Sequence, residues 1–180
     1  MPTMPTNPTP SPQPPWLRGP IPGIPALLQP VAHALVDADE DAQKALANMT
    51  GAQLNQRLGG GAAASAAYHV KHAMGSLDRL FTYARGESLS VEQLAALAAE
   101  KTIHERTFEP AQLAAEFSAA IRRAHVQLRA TQESELLTVR LVGRAKLPSS
   151  TIDLLVHAAE HTARHVGQLM TTAKVILTTR

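Results

Sequence analysis

Four long stretches of this sequence repeat apolar residues every three to four positions, the spacing that lines one face of an α-helix. They run from about Pro30 to Met49, about Ala62 to Arg85, about Pro110 to Arg129, and about Thr151 to Ile176. The 10 Gly and 13 Pro fall mostly outside them. The apolar residues are mainly Ala, Leu and Val, with only 3% aromatics, a composition that suits helices better than strands. A chain of 180 residues, 44% of them hydrophobic, can bury one core but not two of ordinary size. The expectation is an all-α, single-domain four-helix bundle.

Local signals set the punctuation. Pro30 opens the first stretch where a missing N–H costs least, and Thr50 with Gln53 has capping-box spacing for a short turn of helix that Gly59, Gly60 and Gly61 would end. Gly86 stops the second stretch. Ser90 and Gln93 open a short Ala- and Leu-rich helix reaching about Lys101, an extra helix in the crossover between the second and third long helices. The segment VRLVGRAKLPSS precedes the last helix, whose start is marked by Pro148, Ser149, Ser150 and Asp153. Residues 1–24 are rich in Pro, Thr and Ser and are expected to form a flexible, disordered arm outside a bundle spanning 25–180.

Composition excludes several functions. With no Cys there can be no disulfide, thiolate metal site or cysteine nucleophile, so any metal falls to His, carboxylate or water. The net charge of +2 is spread along the chain, and 1 Trp, 2 Tyr and 3 Phe offer few platforms for stacking bases; a nucleic-acid partner is not expected. No apolar run approaches the roughly 18 residues of a membrane span, and the Pro-rich start lacks the pattern of a signal peptide. The expected location is the cytoplasm.

The 8 His are unevenly placed. His69 and His72 lie in the second long helix, and His157, His161 and His165 in the last. Positions i and i+3 or i+4 differ by roughly 60° or 40° around a helix, so each set shares one face and can turn two nitrogens toward one ion. On the last helix, with His161 as the origin, Ile152, Leu155, Ala159, Ala163, Val166, Met170 and Ala173 form the expected core stripe, while Asp153, Glu160, Arg164 and Thr171 face water. On the second, Val70, Ala73, Met74, Leu77, Phe81 and Ala84 face inward and Lys71, Asp78 and Thr82 outward. The histidines occupy a rim between the two faces, and two such rims opposed would form a polar cleft able to hold a divalent metal. His161 and His165 are the firmest ligands; angle does not separate His72 from His69. His33, His104 and His125 read as solvated or hydrogen-bonded. Thr162 follows His161, so the metalloprotease form His-Glu-x-x-His is absent.

The text HTARHVGQ, preceded by VGRAKLPSSTIDLLVHAAE, together with HVKHAMGSLDRLFTYARG, resembles the DinB-like (DinB/YfiT) superfamily of metal-dependent four-helix-bundle proteins. The likeness runs from the first long helix to the C-terminus. It implies three histidine ligands, one from the second helix and two from the last: His72, which precedes Ala73-Met74-Gly75-Ser76, and His161 and His165, which precede Gly167-Gln168. His69 and His157 become neighbours of the site. Gly167 also has the plainer reading of permitting close helix packing.

Three neutral imidazoles leave coordination positions open for water or substrate. Such a site is open to hydrolysis and to thiol transfer; the resemblance implies a metal-activated low-molecular-weight thiolate as one route, and the expectation is a metal-dependent transferase, including thiol S-transfer, or a hydrolase acting on a small molecule. The alternative is a non-catalytic metal-binding or stress-associated bundle. A fourth ligand from His69 or His157 would favour the alternative; an open position beside a deep pocket would favour the enzyme. Imidazole ligation points to Zn or Ni ahead of Mn or Fe. Arg79, Tyr83, Arg140 and Arg144 are candidates to anchor an anionic substrate. No Asp or Glu lies on the histidine stripe. A homodimer is expected at family level, with the Ala-rich faces of the first and third long helices available to a partner.

Overall fold

The computed structural model describes residues 13–179. The long helices are α1 (Gln29–Leu46), α3 (Ala66–Ala84), α5 (Pro110–Ala130) and α6 (Thr151–Thr178), and two short ones lie between them, α2 (Gly51–Asn55) and α4 (Val91–Ala99). Their starts follow side-chain chemistry. Thr50 with Gln53 and Ser90 with Gln93 close reciprocal capping boxes, and Ser65 and Ser150 accept from the backbone N–H three residues on, satisfying donors that the first turn cannot pair internally. Pro110 takes the first position of α5.

The four long helices form a ring in which α6 packs on α3 and α1, and α5 packs on the other sides of α1 and α3. The core is built of Leu28, Leu35, Leu46, Val70, Phe117, Leu128, Leu155 and Leu169, all at most 1% exposed. Ala32, Ala38, Ala42, Ala114, Ala120 and Ala124 lie in the same core. Much of the Ala content of α1 and α5 thus serves packing within the bundle, where small side chains let helix axes approach.

Three features depart from the sequence reading. First, VRLVGRAKLPSS is an antiparallel hairpin of β1 (Val139–Val142) and β2 (Leu147–Ser150), with Val139 opposite Ser150 and Val142 opposite Leu147. Val139 and Leu141 alternate with Arg140 and Val142, the period of a strand; Gly143 has φ 69° at the turn, and Pro148 is tolerated because a two-stranded sheet has only edges. Second, residues 13–24 of the expected arm are docked against the bundle. Pro15 and Ile24 are buried, the Gln29 side chain bonds Ile21 N and O and Ile24 O at 2.8 to 3.0 Å, and Arg18 pairs with Glu40. Residues 1–12 of the arm lie outside the described residues. Third, the faces of α3 and α6 are rotated from the expected ones. Thr82 and Thr162 are buried, while Ala163 and Met170 face outward. Both hydroxyls are satisfied within their own helices, on Asp78 O at 2.9 Å and Ala158 O at 2.7 Å, which makes threonine acceptable in a core.

Of the histidines read as non-functional, His33 bonds Gly19 O at 3.0 Å and His125 bonds Ala32 O at 3.1 Å, tying α5 to α1. His104 is half exposed beside Glu105. No helix among the described residues is long and apolar enough to cross a membrane.

Two predictions test this core. Phe117→Ala removes a fully buried ring and should cost about 3 to 5 kcal/mol, measured by urea denaturation. Burial lowers the pKa of His125 below its ordinary 6.5, outweighing the Ala32 carbonyl, which favours the charged form. Neutral His125 therefore stabilises the fold above pH 6.5, and that contribution is lost as pH falls from 6.5 toward the depressed value. His125→Gln should flatten this part of the stability profile between pH 7 and 5; an unchanged slope would contradict it.

Candidate metal centre

The seam between α3 and α6 carries the histidines. Its formation begins with Ser65, which caps α3 and starts the helical count that puts Tyr68, His69 and His72 on the side facing α6. Ser150 does the same for α6, its Oγ accepting from Asp153 N at 3.2 Å and donating to Asp153 Oδ2 at 2.6 Å. Apolar packing of the flanking residues then closes the two rims on each other.

The structure brings together His72, His161 and His165, each half-buried, with one nitrogen of each lying within 4.8 Å of the others. Ring centroids are 5.1 Å apart for His72 and His161, 4.5 Å for His72 and His165, and 4.6 Å for His161 and His165. His69 and His157 do not join this group. His69 is 7% exposed and its Nδ1 lies 3.2 Å from Nδ1 of His165, while His157 is exposed and bonds Glu160 Oε2 at 3.2 Å through Nδ1.

Burial disfavours the charged form of three of these rings, His69, His161 and His165. Burial lowers the pKa of His165 to about 4, reinforced by the charges of His72, His161, His69 and Arg164. Burial also lowers His161, followed by His72, His157, Arg164 and Arg79, and it lowers His69, followed by His72. A neutral imidazole presents a lone pair, the form that binds a metal. Nδ1 of His161 is buried with no hydrogen-bond partner. Left unsatisfied, such an atom costs about 1 to 3 kcal/mol, and a cation drawn to the triad is the chemistry that would engage it. The donor set fits a divalent ion.

Two residues at the centre have no counterpart in the sequence reading. Tyr68 stacks on His72, with ring centroids 5.3 Å apart and 7° between planes, and meets His69 edge-on. Its position one turn before His72 was available as a signal. Glu100 arrives from the 3-10 turn after α4; its Oε2 accepts from His72 Nδ1 at 2.6 Å and its Oε1 from Arg79 Nη1 at 2.7 Å. Burial opposes its charge, but the bonds from His72 and Arg79 prevail and hold it below the usual carboxylate range. It lies on another element, so no helical spacing could have pointed to it.

An open cleft of about 610 Å³ borders the centre, lined by Tyr68, His69, Arg164, His165, Gly167, Gln168, Thr171 and Thr172 among others. A Cβ on Gly167 would meet nothing within 4 Å, so close helix packing does not account for that glycine. Of the four candidates for anchoring an anion, Arg79 is engaged by Glu100. Tyr83, Arg140 and Arg144 line a different groove, formed with Gly86 and Lys146 beside the hairpin.

A four-helix ring with a histidine triad bridging two helices defines the class. The profile described as the DinB superfamily matches residues 34–169, and the chain belongs to that superfamily. The crystal structure of the conserved protein of locus from Enterococcus faecalis superposes with a TM-score of 0.69 at 18% identity, covering 84% of this chain and 98% of that one. At this identity the likeness shows the fold. No curated protein matches the sequence.

The local origin of the site is testable. Ser65→Ala removes the cap of α3 and should lower stability by about 1 kcal/mol, read as a lower urea midpoint with an unchanged slope.

Proposed function

We propose that His72, His161 and His165 hold one divalent ion and that the protein is a cytoplasmic metal-dependent enzyme acting on a small molecule, as a transferase that uses a low-molecular-weight thiol or as a hydrolase. The observation that carries this reading is the convergence of three imidazoles from α3 and α6 beside an open cleft. When bound, the ion supplies Lewis acidity, lowering the pKa of a water or thiol and polarising an electrophile.

The protein's own residues supply the rest. His165 lies both in the triad and in the wall of the cleft, so a molecule in the cleft meets one of the three donors. Gln168, Thr171 and Thr172 offer hydrogen bonds along α6, and Gly167 leaves room for an approach to the helix. Tyr68 forms an apolar wall over His72. The non-catalytic alternative requires a coordination sphere closed by a fourth histidine. His69 is paired with His165 and His157 with Glu160, an arrangement that favours an open position and hence catalysis. Imidazole donors and the Irving–Williams order favour Zn or Ni over Mn or Fe.

Untagged protein should contain close to one equivalent of Zn or Ni by elemental analysis, and His161→Ala combined with His165→Ala should abolish it. Metal retained by the double variant would overturn the ligand assignment. The metal-loaded protein should then consume thiol with electrophilic co-substrates or hydrolyse small esters and amides. Inactivity across such a screen would favour the non-catalytic alternative.

A further inference from the structure

The crossover between α3 and α5 is more than a connection. It consists of α4, which buries none of its side chains, and a 3-10 run, Glu100–Glu105, anchored on the bundle by Ile103 at 3% exposure. The first residue of that run, Glu100, has a side chain only 12% exposed. A carboxylate withdrawn from water costs several kcal/mol unless its charge and lone pairs are met. Here both oxygens are met, one by the Arg79 guanidinium and the other by His72 Nδ1.

The division matters for His72. A carboxylate facing Nδ1 accepts its N–H, an arrangement that in the neutral ring leaves the lone pair on Nε2. Tyr68, stacked against the ring at 7° between planes, restrains its plane. The backbone of α3 is shaped to admit the contact: a Cβ at Gly75 would lie 2.8 Å from both Arg79 Nη1 and Glu100 Oε1. A side chain there would require the tips of Arg79 and Glu100 to shift.

We propose that Glu100 is the positioning residue of the metal centre: by accepting the Nδ1 proton of His72 it selects the tautomer and orientation that present Nε2 to the ion. The role rests on the metal reading of the preceding section. Carboxylate partners of this kind also raise the basicity of a ligating imidazole, and losing one weakens metal binding about 10- to 100-fold. Arg79 holds the second oxygen of Glu100, and the crossover thereby becomes part of the site. A purely structural role, in which Glu100 only pins the crossover to α3, makes a different forecast: stability falls while the folded protein binds metal as before.

The test uses the full chain stripped of metal and titrated with zinc against a competing chelator, alongside thermal melting. Glu100→Gln keeps the size of the side chain and removes its charge. It should weaken zinc binding about 10- to 100-fold at temperatures where the variant is fully folded. A second readout needs no metal: nitrogen NMR of the apo protein should show His72 as the Nδ1–H tautomer in the wild type and a mixture in Glu100→Gln. Gly75→Ala leaves the carboxylate in the chain but forces the tips of Glu100 and Arg79 to shift, and should move both readouts the same way, which keeps the test available if Glu100→Gln fails to fold. Wild-type affinity and an unchanged tautomer in a folded variant would overturn the positioning role alone. Absence of zinc binding in the wild type would instead overturn the metal reading, and the tautomer measurement would still decide whether Glu100 orients His72.

Discussion

The packing of α3 against α6 is the contact on which the rest of the molecule depends. Val70, Ala73, Leu77 and Phe81 on one side and Leu155, Ala158, Ala159, Val166 and Leu169 on the other are buried in one core. Their removal from water is non-directional, but it draws two helices close enough for the polar rims beside the core stripes to meet. The histidines do not hold this seam together; they are carried into contact by the apolar residues next to them. Desolvation then sets their chemistry, since burial is the largest cause of the lowered pKa values of His69, His161 and His165. Hydrophobic packing thus fixes the positions of the donors and favours the neutral form of His161 and His165.

Around that seam the bundle separates polar tasks by place. The triad and its cleft lie between Tyr68 on α3 and Gln168 on α6, whereas Arg140, Arg144 and Lys146 gather at the hairpin with Tyr83 and Gly86. Cations remain near the triad, but their charge is committed: Arg79 to Glu100 and Arg164 to Glu160. Pairing limits how strongly they oppose a divalent ion, since an unpaired cation nearby would raise the cost of bringing one in.

The sequence was most legible where the physics is local. Capping residues at Thr50, Ser90 and Ser150 and the stop at Gly86 mark element ends because they act within one turn of chain. Periodicity was less exact about faces. Thr162 is core and Met170 is not, because a helix wheel assumes that chemical type decides burial, whereas the positions of α1 and α3 decide it here, and a threonine can hide its hydroxyl against its own helix. The hairpin was not recognised beside a strong helix-start signal, its strands being only four residues each.

The sequence by itself determined the helical class, the absence of thiol chemistry and the two histidine faces, since spacing along one helix is set by 3.6 residues per turn. The family resemblance, carried by the residues around each face, singled out His72 beside the pair His161 and His165. Tertiary structure alone decided which faces meet: it put His69 behind His165, left His157 on the surface and brought Glu100 to His72 from across the crossover. Contacts between elements depend on how whole surfaces pack, and no local spacing encodes them.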